Sequence, residues 1–196
     1  MLTIDQAKPL YKNDAAHDFD HILRVLANAQ QIGQAENADM AILQTAVLLH
    51  DIARADQERT GEDHAVIGAQ RAKQILTDLN YKPDFIQAVY HAIVTHRFRI
   101  DAPPTTLEAK ILYDADKLDS IGAIGMARVF AYSGHANRSL WRDNTDEHTA
   151  LQEYQHKLVK IKDSLFTVTA RQIAIGRHRF MAEFVEQIIA EIQGVR

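Results

Sequence analysis

Apolar residues recur at helical spacing through most of the chain, and the strict alternation that marks half-buried strands is missing, so the pattern predicts helices throughout. The predicted helices run from Asp18 to Ala35, Met40 to Ala55, Asp63 to Asn80, Pro83 to Phe98, Thr106 to Tyr132, Asp146 to Ser164 and Val168 to Gln193, with a shorter one before them. Start signals agree with the periodicity. Pro83 suits a first helical turn, Thr105 with Glu108 has the spacing of a capping box, and Thr60 with Asp63 resembles a second such arrangement. The loop Asp101-Ala-Pro-Pro-Thr105 is a clear break, and Ser133 to Thr145 is a polar stretch. No repeat, low-complexity tract or linker divides the chain, which reads as one all-α domain over residues 1–196.

Several polar residues occupy positions where this pattern calls for apolar ones. The run Ala46-Val-Leu-Leu-His-Asp-Ile-Ala53 is apolar almost all round, which predicts a central helix, and His50 and Asp51 interrupt it. A lone buried histidine is most simply a core residue hydrogen-bonded to a neighbour. A second ionisable group beside it changes that weighting, because two buried ionisable groups require partners or a metal. His21 aligns with Val25, Ala29 and Ile32, which aims it inward. On the predicted helix from Thr106, Asp116 and Asp119 share one edge of the buried face, where two carboxylates repel unless a cation or Lys117 compensates.

Composition narrows the chemistry. The chain has 196 residues, a formal charge of −4 and no cysteine. Disulfides, thiolate metal sites and cysteine nucleophiles are excluded, so a metal would be held by His, Asp and Glu. The charge balance lacks the basic footprint of a nucleic-acid polymer or anionic membrane as partner. With neither a signal-peptide pattern nor a long apolar run, a cytoplasmic location is expected.

The ordered set His21 within His17-Asp-Phe-Asp-His-Ile-Leu-Arg-Val25, His50-Asp51 within Leu48-Leu-His-Asp-Ile52, and Asp116 within Tyr113-Asp-Ala-Asp-Lys-Leu-Asp119 resembles the HD-domain metal-dependent phosphohydrolases. Segments such as His64-Ala-Val-Ile-Gly-Ala69 look like the small stand-alone bacterial branch, which includes nucleotide pyrophosphohydrolases. The resemblance implies an HD-type helical bundle in which His21, His50, Asp51 and Asp116 hold a divalent cation. Two imidazoles and two carboxylates suit Mn²⁺, the favoured choice, or Mg²⁺, Co²⁺, Ni²⁺ or Fe²⁺ in octahedral coordination. A bound cation would polarise a phosphoryl oxygen and activate a water as nucleophile.

Two more histidines are candidates. His64 follows the doublet closely enough to fold back over the metal, and His96 falls on the inward stripe Phe85, Ala88, Val89, Ala92, Ile93. The resemblance leaves two roles open for them, ligands of a second metal or phosphate contact and proton donor. Asp51 and His64 are therefore the catalytic candidates. Arg54, His96, Lys117, Asp119 and Arg142 are the candidate substrate contacts, with Arg138 and Trp141 beside Arg142 able to close over a nucleotide. The expected activity is hydrolysis of a small nucleotide, a triphosphate giving monophosphate and pyrophosphate. A diiron oxygenase and a nucleotide-sensing, non-catalytic module are the alternatives, and a homodimer is compatible with the sequence.

Overall fold

The computed structural model describes residues 2–11, 19–97, 103–141 and 149–195, with Glu58 described by its backbone alone. Among them the regular structure is helical without a strand, as the periodicity predicts. Two compact units are present, Met1–Asp116 and Lys117–Arg196.

The first unit opens with α1 (Ile4–Ala7), whose start is closed by a reciprocal capping box between Thr3 and Gln6, and a 3₁₀ turn over Lys8–Leu10. It continues with α2 (Phe19–Glu36), α3 (Met40–Leu49), α4 (Arg54–Thr60), α5 (His64–Asp78) and α6 (Pro83–Val94). Helix α7 (Leu107–Asp119) begins in this unit and ends in the second. The most apolar helix, α3, packs against α2, α5 and α6. Its Leu43, Val47 and Leu49 are fully buried, as are Val25 and Ile32 of α2, Leu76 of α5 and Val89 and Ile93 of α6. Burial of one such side chain contributes roughly 1.5–3 kcal/mol, so this shared core fixes where the helix ends lie. Asn37 and Asn80, with φ of 59° and 58°, turn the chain out of α2 and α5 through the left-handed region.

Several details of the sequence reading change. The helix predicted from Met40 to Ala55 stops at Leu49. His50 to Ala53 form a turn, and α4 starts anew at Arg54. Two carbonyls of the last turn of α3 are taken up by side chains: His50 Nδ1 donates to Val47 O at 2.8 Å and Tyr11 Oη to Leu48 O at 3.0 Å. The capping box predicted for Thr105 and Glu108 does not form. Thr106 Oγ1 accepts from Ala109 N at 3.2 Å instead, while Glu108 Oε1 accepts from Asp39 N, which carries its carboxylate to the start of α3. Asp63 itself, rather than Thr60, caps α5 by accepting from Ala65 N at 2.8 Å.

The second unit contains α8 (Gly122–His135), α9 (Ala150–Glu153), a π turn over Tyr154–Leu158, α10 (Val159–Ile161), a 3₁₀ turn over Lys162–Ser164 and α11 (Val168–Ile192). Its α8 packs on α11, with Phe130 and Phe184 edge to face at 5.7 Å and Met126 and Met181 buried. The continuous helix predicted from Thr106 to Tyr132 is thus two helices, separated at Ser120 and Ile121. Gly122, with φ of 78°, carries the junction through a conformation that penalises any side chain.

Gly125 is held by a closer contact. A Cβ placed there would lie 2.3 Å from Ser120 O and 2.6 Å from Ser120 C. Ala normally improves on Gly in a helix by about 1 kcal/mol. Here Gly125→Ala should instead destabilise by roughly 1–3 kcal/mol, because the backbone carbonyl must move. A denaturant midpoint equal to or above that of the wild type would show that the junction relaxes at no cost.

No helix among the described residues is long and apolar enough to cross a membrane.

Candidate functional site

Side chains from five segments of the first unit converge at the ends of α3 and α6. His21 stands in the first turn of α2, on the same face as the buried Val25, Ala29 and Ile32. His50 and Asp51 lie in the turn that follows α3. His64 is the first residue of α5, His96 lies two residues beyond α6, and Asp116 is on α7. His21 Nε2 is 3.4 Å from Asp116 Oδ1 and 3.9 Å from Asp51 Oδ2, and His50 Nε2 is 3.9 Å from that same oxygen. On the other side of the carboxylate, Oδ1 lies 3.1 Å from His64 Nε2 and 3.6 Å from His96 Nε2. Asp51 therefore belongs to two sets of possible ligands, one with His21 and His50 and one with His64 and His96, each with its donor atoms within 4.8 Å of one another.

Two buried polar atoms bear directly on what this arrangement holds. His50 Nε2 and Asp51 Oδ1 have no hydrogen-bond partner among the described residues. His64 Nε2 stands 3.1 Å from Asp51 Oδ1 as an ion-pair contact. Orphans of this kind cost roughly 1–3 kcal/mol each, and cation binding at the two sets would offset that cost. The tautomers agree. A carbonyl can only accept, so His50 carries its ring proton on Nδ1, toward Val47 O, and His96 carries its own on Nδ1, toward Ile93 O at 2.5 Å. Both Nε2 atoms then present lone pairs to Asp51, the arrangement in which metal-binding histidines are held by their outer hydrogen bonds.

The electrostatics point the same way. Burial pushes the His50 imidazole down to about 4, only partly offset by the Asp51 and Asp116 carboxylates, so the ring is neutral at ordinary pH. Burial alone would raise the Asp51 carboxyl. His50, His64 and His96 around it hold it well below the usual carboxylate range, and it stays ionised. A neutral His50 imidazole beside an ionised carboxylate is the pair of protonation states that metal binding requires.

Beside Asp51 a cavity of about 50 Å³ is lined by Tyr11, His21, Arg54, Asp56 and Arg71, among others. Arg54 Nη1 lies 3.1 Å from His64 Nδ1. The Arg71 guanidinium is engaged by Asp56 Oδ2 at 2.8 Å and Ile52 O at 3.3 Å. Arg97, next to His96, pairs with Asp63, next to His64, at 2.6 Å, and so ties the two histidine-bearing ends together.

The structure therefore brings together His21, His50, Asp51, His64, His96 and Asp116, with Arg54 at the edge. Lys117 and Asp119 close α7 in the second unit, where Asp119 is buried and accepts from Arg128 Nη1 at 2.9 Å. Arg138 lies over the Tyr132 ring at 5.4 Å, Trp141 is half-buried, and Arg142 lies outside the described residues. His96 is not on the helical stripe predicted for it but past the end of α6, where its own Nδ1 takes up a helix carbonyl.

Four residues around the site escaped the sequence reading. Tyr11 donates to Leu48 O, and Asn28 Nδ2 donates to Ala115 O at 3.2 Å, joining α2 to α7 beside Asp116. Gln57 Oε1 accepts the backbone N–H of His64 at 3.3 Å and makes a short contact with its ring Nδ1. Arg71 follows His64 by two helical turns, and that spacing was the only local signal among the four.

Residues 18–121 match the HD domain family. The chain is 34% identical to the protein YpgQ of Bacillus subtilis (strain 168) over 190 residues, which cover 95% of this chain and 89% of that protein. The crystal structure of B. subtilis YpgQ in complex with ADP is similar with a TM-score of 0.77 and 30% identity, over 99% of this chain and 100% of that one. An HD-superfamily hydrolase from Bacillus thuringiensis is similar with a TM-score of 0.81 and 32% identity, over 97% of this chain and 94% of that one.

Proposed function

This chain belongs to the HD domain family, and on that footing we propose that it is a metal-dependent phosphohydrolase that cleaves a small nucleotide, a nucleoside triphosphate giving monophosphate and pyrophosphate. The observation that carries the reading is the pair of buried orphan atoms, His50 Nε2 and Asp51 Oδ1, set among His21, His64, His96 and Asp116. His21, His50, Asp51 and Asp116 are assigned to hold the cation, with Mn²⁺ the first choice for two imidazoles and two carboxylates. When bound, the cation supplies Lewis acidity toward a phosphoryl oxygen and a water of lowered pKa.

The chain's own residues supply the rest. Asp51 stays ionised and can accept a proton from the attacking water. Arg54 lines the cavity beside it and is the assigned contact for phosphate oxygens. Water attacks the α-phosphorus, the bond from that atom to the bridging oxygen breaks, and pyrophosphate leaves with the electron pair. The choice of a nucleotide is supported by the ADP held by the B. subtilis relative.

With purified protein, Mn²⁺, Mg²⁺, Co²⁺ and Ni²⁺ in turn, and a nucleotide panel in ¹⁸O-labelled water, the expected products are labelled monophosphate and unlabelled pyrophosphate. Inorganic phosphate with a diphosphate or nucleoside as co-product would refute the assigned bond.

The second set, Asp51 with His64 and His96, favours one other reading, a two-metal site, which in a diiron form would activate oxygen on a small molecule. Two equivalents of iron together with oxygen consumption would mark that activity, whereas hydrolysis under anaerobic conditions would exclude it as the source of turnover.

A further inference from the structure

His64 differs from the other two buried histidines in what its outer nitrogen meets. His50 and His96 each place Nδ1 on a main-chain carbonyl, which dictates the tautomer. His64 begins its helix, has no carbonyl in reach by that route, and meets two side chains instead. Gln57 Oε1 makes a short contact with Nδ1, and Arg54 Nη1 lies 3.1 Å from the same atom. The two contacts exclude each other. An amide oxygen only accepts and a guanidinium only donates, so a neutral ring either gives its Nδ1 proton to Gln57 or receives one of Arg54's protons on a bare Nδ1.

Two observations favour Gln57. Its contact is the shorter. The same Oε1 also accepts the His64 backbone N–H at 3.3 Å, which fixes the oxygen rather than the amide nitrogen toward the ring.

We propose that Gln57 is a positioning residue that holds His64 in the Nδ1–H tautomer, so that its Nε2 lone pair faces Asp51 as those of His50 and His96 do. Arg54 is thereby denied the ring nitrogen as an acceptor. In the opposite tautomer Nε2–H would face the carboxylate, and the ring could not act as a ligand. The consequence for cation binding rests on the proposed metal site, whereas the tautomer itself does not.

The test uses ¹⁵N-histidine NMR of the metal-free full-length protein at a pH where the ring is neutral, followed by Zn²⁺ titration. Wild type and Gln57→Glu, which keeps an acceptor oxygen, should show His64 protonated on Nδ1. Gln57→Leu should show it protonated on Nε2 and should bind the Zn²⁺ equivalent that perturbs His64 about 10- to 100-fold more weakly, the usual cost of losing a histidine's outer partner. Gln57→Glu should retain wild-type binding. An Nδ1–H ring in Gln57→Leu, or an Nε2–H ring in the wild type, would overturn the proposal. A tautomer that switches in Gln57→Leu with no change in Zn²⁺ affinity would uphold the positioning role and count against the cation site itself.

Discussion

Replacing Asp51 by alanine should leave a folded helical protein that retains no tightly bound divalent cation and turns over no substrate. The reason is the carboxylate's position between two groups of imidazoles: Oδ2 lies 3.9 Å from both His21 and His50, and Oδ1 lies 3.1 Å from His64 and 3.6 Å from His96. Losing one ligand from a single set weakens a site. Losing a carboxylate that both sets share removes the negative charge that all four rings approach, and with it the Lewis acidity and activated water on which the proposed hydrolysis depends. Removal should be structurally mild, because Asp51 sits in a turn with its side chain 14% exposed, and no helix loses a cap. Elemental analysis, circular dichroism and the nucleotide assay together check this. Metal-replete protein with ordinary activity would refute the proposed site.

The second large effect is expected at His64. His64→Ala should lower turnover by roughly 10²-fold or more, the range for a positioned proton-transfer group, while one metal equivalent survives on His21, His50, Asp51 and Asp116. The metal count decides the role. If the wild type binds two equivalents and the variant one, His64 acts as a ligand. If both bind one, it acts on the substrate. Unchanged turnover would remove His64 from the site altogether.

Most of the helix order was legible, because apolar spacing is a property of the chain alone. The residues that converge around Asp51 were legible for a related reason. His21, His50 and Asp116 stood at positions the pattern reserves for apolar side chains, and the ordered set carried a family resemblance.

What could not be read is where tertiary contacts overrule local preference. Nothing in Leu48-Leu-His-Asp-Ile-Ala53 breaks a helix. Glycine and proline are absent, and the end at Leu49 depends on a ring that bonds Val47 O and on Tyr11, far away in sequence, that bonds Leu48 O. The break before α8 was different. Gly122, whose φ of 78° favours glycine, opens α8 three residues past the end of α7, and a glycine inside the predicted helix was a signal there to be used. Gln57 and Asn28 gave no signal of their own, since an amide on a helix face looks the same whether it meets water or a buried partner.

The histidines that follow α3 and α6 are each fastened through one nitrogen to a carbonyl three residues back. A ring held in this way cannot swing out without exposing the last turn of its own helix, so the grip on the ring and the integrity of the helix end rise and fall together. Helix C-termini carry about half an elementary unit of negative charge and N-termini the matching positive charge, so the ends of α3 and α6 are opposed by the starts of α2, α4 and α5, and the negative character of the seat comes from the Asp51 and Asp116 carboxylates. An incoming cation thus meets a seat that is already shaped. Stripping the cation with a chelator should silence the enzyme while its helices stay intact, unlike small zinc domains that unravel when their ion is taken away.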